Sequence, residues 1–140
     1  MLMNTVPATI ISGLGAASGT VVLQRPHLER HFPDIRNCYD GTINVLLGYP
    51  VEIRLPDFVT PPLLWAANSQ AERFGLTKIE LKLDADERAY PAWVYTAEFS
   101  PHLFKTGVLE ILAEKIDGIQ AGRKCSIGFH RLQRAKLAVV

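Results

Sequence analysis

Two side chains with neutral oxygens, Thr42 and Asn44, stand two residues apart in the stretch Tyr39-Asp40-Gly41-Thr42-Ile43-Asn44-Val45-Leu46-Leu47. Asp40-Gly41 is a turn dipeptide, because glycine reaches positive φ without a Cβ clash. From Ile43 to Leu47 every position but Asn44 is β-branched or aliphatic, so the run reads as a buried strand. Residues i and i+2 of a strand share a face, which would project the Thr42 hydroxyl and the Asn44 carboxamide together. A pair of neutral oxygens suits a hard cation that already carries phosphate, as Mg²⁺ does. The alternative is that both side chains close the turn through backbone hydrogen bonds.

A second candidate is the segment Ser12-Gly13-Leu14-Gly15-Ala16-Ala17-Ser18-Gly19. Three glycines and two serines between apolar segments offer open backbone N–H groups that can cradle phosphate oxygens. No Gly-Lys-Ser/Thr follows, and Thr20-Val21-Val22-Leu23 reads as a strand where a Walker loop or a dinucleotide fingerprint needs a helix. A wide hairpin loop is the competing reading. Glu110 is a third candidate, as the lone carboxylate in the apolar run Val108-Leu109-Glu110-Ile111-Leu112-Ala113. His27 and His31 are four apart, but no carboxylate stands at a metalloprotease spacing, so they read as exposed. Cys38 and Cys125 lack any CxxC spacing and read as free thiols of a reducing compartment.

The elements that must position these groups are mostly short strands. Ala8 to Ile11 is one, and Val51-Glu52-Ile53-Arg54-Leu55, Lys78 to Leu83 and Ala92 to Ala97 are others, with Asp84 to Arg88 as a hairpin turn. Cys125 to Phe129 makes a late strand. Arg25 to Phe32 reads as one or two helical turns, with Pro26 near the first helical position and Leu28 and Phe32 on one face. Ala71-Glu72-Arg73-Phe74-Gly75 reads as a helical turn stopped by glycine. Leu63-Leu64-Trp65, after Pro61 and Pro62, is expected to pack on the core without a long element. Many short strands and closely spaced turn signals predict a compact, mainly β barrel, with residues 41–47 as a central strand and residues 1–140 as one domain.

Lysines and arginines number 15 against 14 acidic residues, for a net charge of +1, so nothing favours nucleic acid or an anionic membrane in general. Arg123, Lys124, Arg131, Arg134 and Lys136 read as a solvated face without an aromatic platform. No signal peptide and no run long enough to span a bilayer is evident, which predicts a soluble, cytoplasmic protein.

In this order the pieces resemble the archaeal-type CTP-dependent riboflavin kinases. The motifs are Ile11-Ser12-Gly13-Leu14-Gly15, a short helix ending near Phe32, and Tyr39-Asp40-Gly41-Thr42-Ile43-Asn44-Val45; His102, Val108 to Ala113 and Gly118 to Ile127 continue the match. The resemblance implies a cradle-loop β-barrel with short helices that transfers the γ-phosphoryl of CTP to riboflavin, giving FMN. It implies that Gly13, Leu14 and Gly15, with Ala16, Ala17 and Ser18 of the same loop, lie against the nucleotide. It implies Thr42 and Asn44 as Mg²⁺ ligands, Glu110 as a flavin contact or as acceptor of the hydroxyl proton, and Ser100 as a flavin contact. Where that family has a glutamate and a third glycine in its loop, this chain has Ala16 and Ala17. Where it has a Leu-Arg pair after Ala113, this chain has Glu114-Lys115-Ile116-Asp117, and Lys115 is the available nucleotide contact. A non-catalytic relative that binds a flavin, nucleotide or other small ligand is the alternative. Trp65, Trp93 and Tyr95 suit either a flavin-facing wall or ordinary core.

Overall fold

The computed structural model describes residues 4–12, 19–39, 41–48, 51–53, 56–68, 70–98, 107–129 and 137–139. Strands β1 (Asn4–Ser12), β2 (Ile43–Leu47), β5 (Phe74–Leu83), β6 (Ala89–Ala97), β7 (Val108–Ala113) and β8 (Lys124–Phe129) hydrogen-bond in the order β5-β6-β7-β2-β1-β8. A further β5–β8 pairing closes the ring, and every pairing in it is antiparallel. The protein is therefore mainly β, built on a closed six-stranded barrel. Strand β4 (Phe58–Val59) extends the sheet beyond β5, and β3 (Val51–Ile53) pairs with β9 (Leu137–Val139) in a separate ribbon.

Alternation along each strand sorts side chains into two apolar layers. Ile43, Val45 and Leu47 of β2 point into the barrel with Val6, Ile10 and Ile111, among others, and this lumen is filled by side chains. Outside the wall, Leu76, Tyr95 and Leu112 pack against Val21, Leu28 and Ile35. The outer layer is brought by helix α1 (Gly19–His31) and the 3-10 turn Pro33–Ile35. Among the described residues no helix is long and apolar enough to cross a membrane.

Strands β1, β5 and β7 end, and β2, β6 and β8 begin, at one end of the barrel, as the antiparallel order requires. That end receives the β1–β2 connection with its helix, the β5–β6 turn and the β7–β8 connection. The expected strand over residues 41–47 is found over Ile43–Leu47, between β1 and β7; in a closed ring no strand is more central than another.

Three expectations are corrected. Thr20 to Leu23 is not a strand: these residues belong to α1, which starts before Arg25 and holds Pro26 in its interior. Val21, Gln24, Arg25 and Leu28 are the buried positions, spaced i, i+3, i+4 and i+7. Two of the four are polar, which hides the helical period from hydropathy. Pro26 and Val22, four residues before it, are both exposed, so the carbonyl that loses its donor is on the solvent side. A helix therefore does follow the glycine segment, but no Gly-Lys-Ser/Thr stands there and the next strand, β2, runs antiparallel to β1, unlike the parallel βαβ unit of a Walker loop. Lastly, Ala71 to Gly75 is no helical turn. Glu72 bridges to Leu63, and Phe74 and Gly75 open strand β5.

Gly75 is required by close approach. A Cβ there would stand 2.6 Å from Thr96 Oγ1 and 2.7 Å from Pro56 Cγ. The first four residues of β5 are buried on both faces, so the alternation that marks Lys78 to Leu83 is absent from them.

Candidate functional site

Asn44 faces outward from β2, and two side chains meet it. Its Nδ2 donates to Ser12 Oγ at 2.7 Å, and Thr42 Oγ1 donates to its Oδ1 at 3.2 Å. Ser12 reaches this face because of an irregularity in β1. Ile10 points into the lumen, and strict alternation would send Ser12 there too. The register shifts between Ile10 and Ser12, which brings Ser12 opposite Asn44. A bulge of this kind re-aims a side chain. Thr42 and Asn44 thus share one face, as their spacing predicts. The side-chain bonds that join them run to each other and to Ser12, whereas the turn itself is closed by the Gly41 N–H donating to the Tyr39 carbonyl at 2.9 Å.

The row continues across the sheet. Asn44 pairs with Glu110 on β7, and Glu110 pairs with Tyr95 on β6. Directly opposed side chains have Cβ atoms roughly 4.5–5.5 Å apart, so the Glu110 carboxylate is within reach of the Asn44 group. Glu110 is half-buried, while Tyr95 lies in the outer core and donates its hydroxyl to Gln24 Oε1 of α1. Burial pushes the Tyr95 hydroxyl far above its ordinary pKa of 10.0; Glu110 and then Glu72 add to the rise, and the Gln24 bond opposes it. That hydroxyl stays protonated at physiological pH.

The approach to Thr42 is held by Arg25, which sequence reading passes over. Its Nη1 donates to the carbonyls of Cys38 (3.1 Å) and Tyr39 (3.0 Å), and its Nη2 to that of Ile35 (2.8 Å). Glu29, one turn on, stands 3.5 Å from the guanidinium. From the opposite side the Tyr39 N–H donates to the Ala113 carbonyl at 2.8 Å.

Lys115 is exposed just beyond β7, at the same end of the barrel. It borders a cleft of about 200 Å³ with Arg88, Tyr90, Pro91 and Asp117. Arg88 lies over the Tyr90 ring, 4.6 Å from its centroid. Gly13, Leu14, Gly15, Ala16, Ala17 and Ser18 fall outside the described residues, as does Ser100; Ser12 and Gly19 bracket the glycine segment. Tyr95 is core, and Trp65 and Trp93 pack half-buried against the same outer layer.

Among the described residues no three His, Cys, Asp or Glu side chains gather where they could hold a metal. The Thr42 and Asn44 oxygens, joined here by a hydrogen bond, are neutral donors of the kind a hard cation takes. Adjacent ligands of an octahedral Mg²⁺ with bonds of 2.0–2.1 Å stand about 2.9 Å apart, close to the 3.2 Å between these two atoms. The thiols are poor candidates for chemistry. Burial pushes Cys38 up from 9.0 to about 11, with Arg25 partly opposing it, and burial followed by Asp84 does the same to Cys125. No protein-family model matches the chain, and no curated protein does.

Proposed function

We propose that this protein is a riboflavin kinase-like phosphotransferase, using Mg²⁺ and CTP to convert riboflavin to FMN. The observation that supports it best is the Ser12–Asn44–Thr42 group on the outer barrel face, with Glu110 directly across from Asn44. Phosphoryl transfer needs positioning and charge neutralisation more than covalent help from the protein. Thr42 and Asn44 offer two neutral oxygens, and the Ser12 bond fixes the carboxamide with Oδ1 towards Thr42. When bound, Mg²⁺ supplies charge neutralisation on the transferring phosphate. Glu110 takes the proton of the ribityl 5′-hydroxyl as that oxygen bonds to the γ-phosphorus. The bond to the β-phosphate oxygen breaks, and CDP leaves. In this reading the glycine segment Gly13 to Ser18 and Lys115 contact the nucleotide, and Ser100 the flavin.

A second reading has its own observation. Ser12, Asn44 and Thr42 satisfy one another without a ligand. A barrel that binds a flavin or nucleotide without turnover would keep the same group for its geometry.

The deciding experiment combines calorimetric titration with Mg·CTP and riboflavin with an assay for FMN. The unmutated protein is expected to bind both and form FMN. Asn44→Leu is expected to lose at least a hundredfold in transfer while its melting temperature stays within a few degrees. Removing this half-buried amide costs only about 1 kcal/mol in stability. Absence of Mg·CTP binding and of FMN would sink the kinase reading. Flavin binding without turnover would carry the second one.

A further inference from the structure

Arg25 has an unusual setting for an arginine. Its side chain is 3% exposed, and its fork spans three main-chain carbonyls of one segment, Ile35, Cys38 and Tyr39. These groups lie where the 3-10 turn Pro33–Ile35 gives out and the chain has not yet entered β2. The Ile35 carbonyl also accepts the Cys38 N–H and the Tyr39 carbonyl the Gly41 N–H, each at 2.9 Å, so the guanidinium adds a charged donor to groups that already shape the turn. One planar, always-charged fork reaches all three carbonyls from inside α1, which a lysine ammonium on a flexible stem cannot reproduce.

The held segment is the one that delivers Thr42. After Tyr39, pinned to Arg25 by its carbonyl and to Ala113 by its N–H, only Asp40 and Gly41 intervene. Gly41 is itself tied back to the Tyr39 carbonyl. A shift of Tyr39 therefore passes to Thr42, and from Thr42 to the Asn44 oxygen it bonds.

We infer that Arg25 is a positioning residue: it holds Tyr39, to whose carbonyl Gly41 is tied, from within α1 and so fixes where Thr42 stands relative to Asn44. The consequence for nucleotide binding rests on the kinase reading, whereas the consequence for the turn does not.

The test is amide hydrogen exchange on Arg25→Lys, which keeps the charge and loses the fork. The Cys38, Tyr39 and Gly41 amides are expected to exchange at least tenfold faster, while those of β5 and β6 change less than threefold. Uniform acceleration across all strands, or none at the turn, overturns the inference. Glu29→Gln, which keeps the carbonyl bonds, is expected to leave the turn within threefold of the unmutated protein. Equal opening of the turn in Glu29→Gln overturns it too. If the unmutated protein binds Mg·CTP, Arg25→Lys is expected to weaken that binding at least tenfold while riboflavin affinity stays within twofold; parallel losses in both overturn the positioning role. If it binds no Mg·CTP, the kinase reading fails and the exchange data alone decide. Should Arg25→Lys not fold, the unmutated protein decides: the Arg25 guanidinium protons should exchange at least tenfold more slowly than those of exposed Arg30. Equal rates overturn the inference.

Discussion

A polar side chain in an apolar setting must find partners, and this chain solves that problem twice with different visibility. Asn44 interrupts a β run, so it stands out in the sequence, and its partner Thr42 is two residues away. Gln24 and Arg25 lie on the buried stripe of α1, where their polarity disguises the stripe; their partners, Tyr95 and three carbonyls, are 10 to 71 residues away. No local pattern reveals such pairing. The Gln24–Tyr95 bond makes a measurable expectation. Tyr95→Phe leaves the buried Gln24 amide oxygen without its donor and should cost about 1–3 kcal/mol in urea unfolding. Adding Gln24→Met removes the orphan, so the double variant should recover most of that loss. If Tyr95→Phe alone is neutral, the bond contributes nothing.

Among the elements, part of β1, the apolar run of β2, the second half of β5 with its clean alternation, most of β6, and β8 were legible as strands. Two stretches were not, each for a physical reason. Thr20 to Leu23 has the composition of a strand, yet the outer wall of β5, β6 and β7 takes it as a helix, since tertiary burial outweighs local preference. Phe74 and Gly75 look like a helix end because glycine is a common stop, whereas here it makes room for Pro56 and Thr96. Gly75→Ala should therefore destabilise by about 1–3 kcal/mol through overpacking. A helix-stop role predicts a milder effect. A fall of several degrees in melting temperature supports close approach, and an unchanged value rules it out.

For the whole molecule, the two buried thiols predict an alkaline limit. Cys125 lines the lumen and Cys38 the outer layer, so they sit in separate cores. Each has its pKa raised from 9.0 to about 11. The folded state then holds protons that the unfolded chain releases. The associated stability is complete below pH 9 and is lost as pH climbs from 9 towards 11. Each thiol should contribute a decline of about 1.4 kcal/mol per pH unit in that window, with Tyr95 joining above its ordinary 10.0. Urea midpoints at pH 8, 9 and 10 measure the slope. Cys38→Ala with Cys125→Ala should flatten it, and an equally steep fall in that variant would assign the effect elsewhere.

The ring closes through β1, which sits between β2 and β8 and pairs Asn4 with Phe129. Strand β1 therefore waits for β8, made long after it, before both its edges are occupied. Until then the growing chain carries an unpaired strand edge beside apolar side chains meant for the lumen, a species prone to associate with its own kind. Pairing across such a sequence distance also slows folding, because loop entropy is lost before the contacts form. The closed wall protects the finished protein, and the same topology leaves it exposed while it is being made.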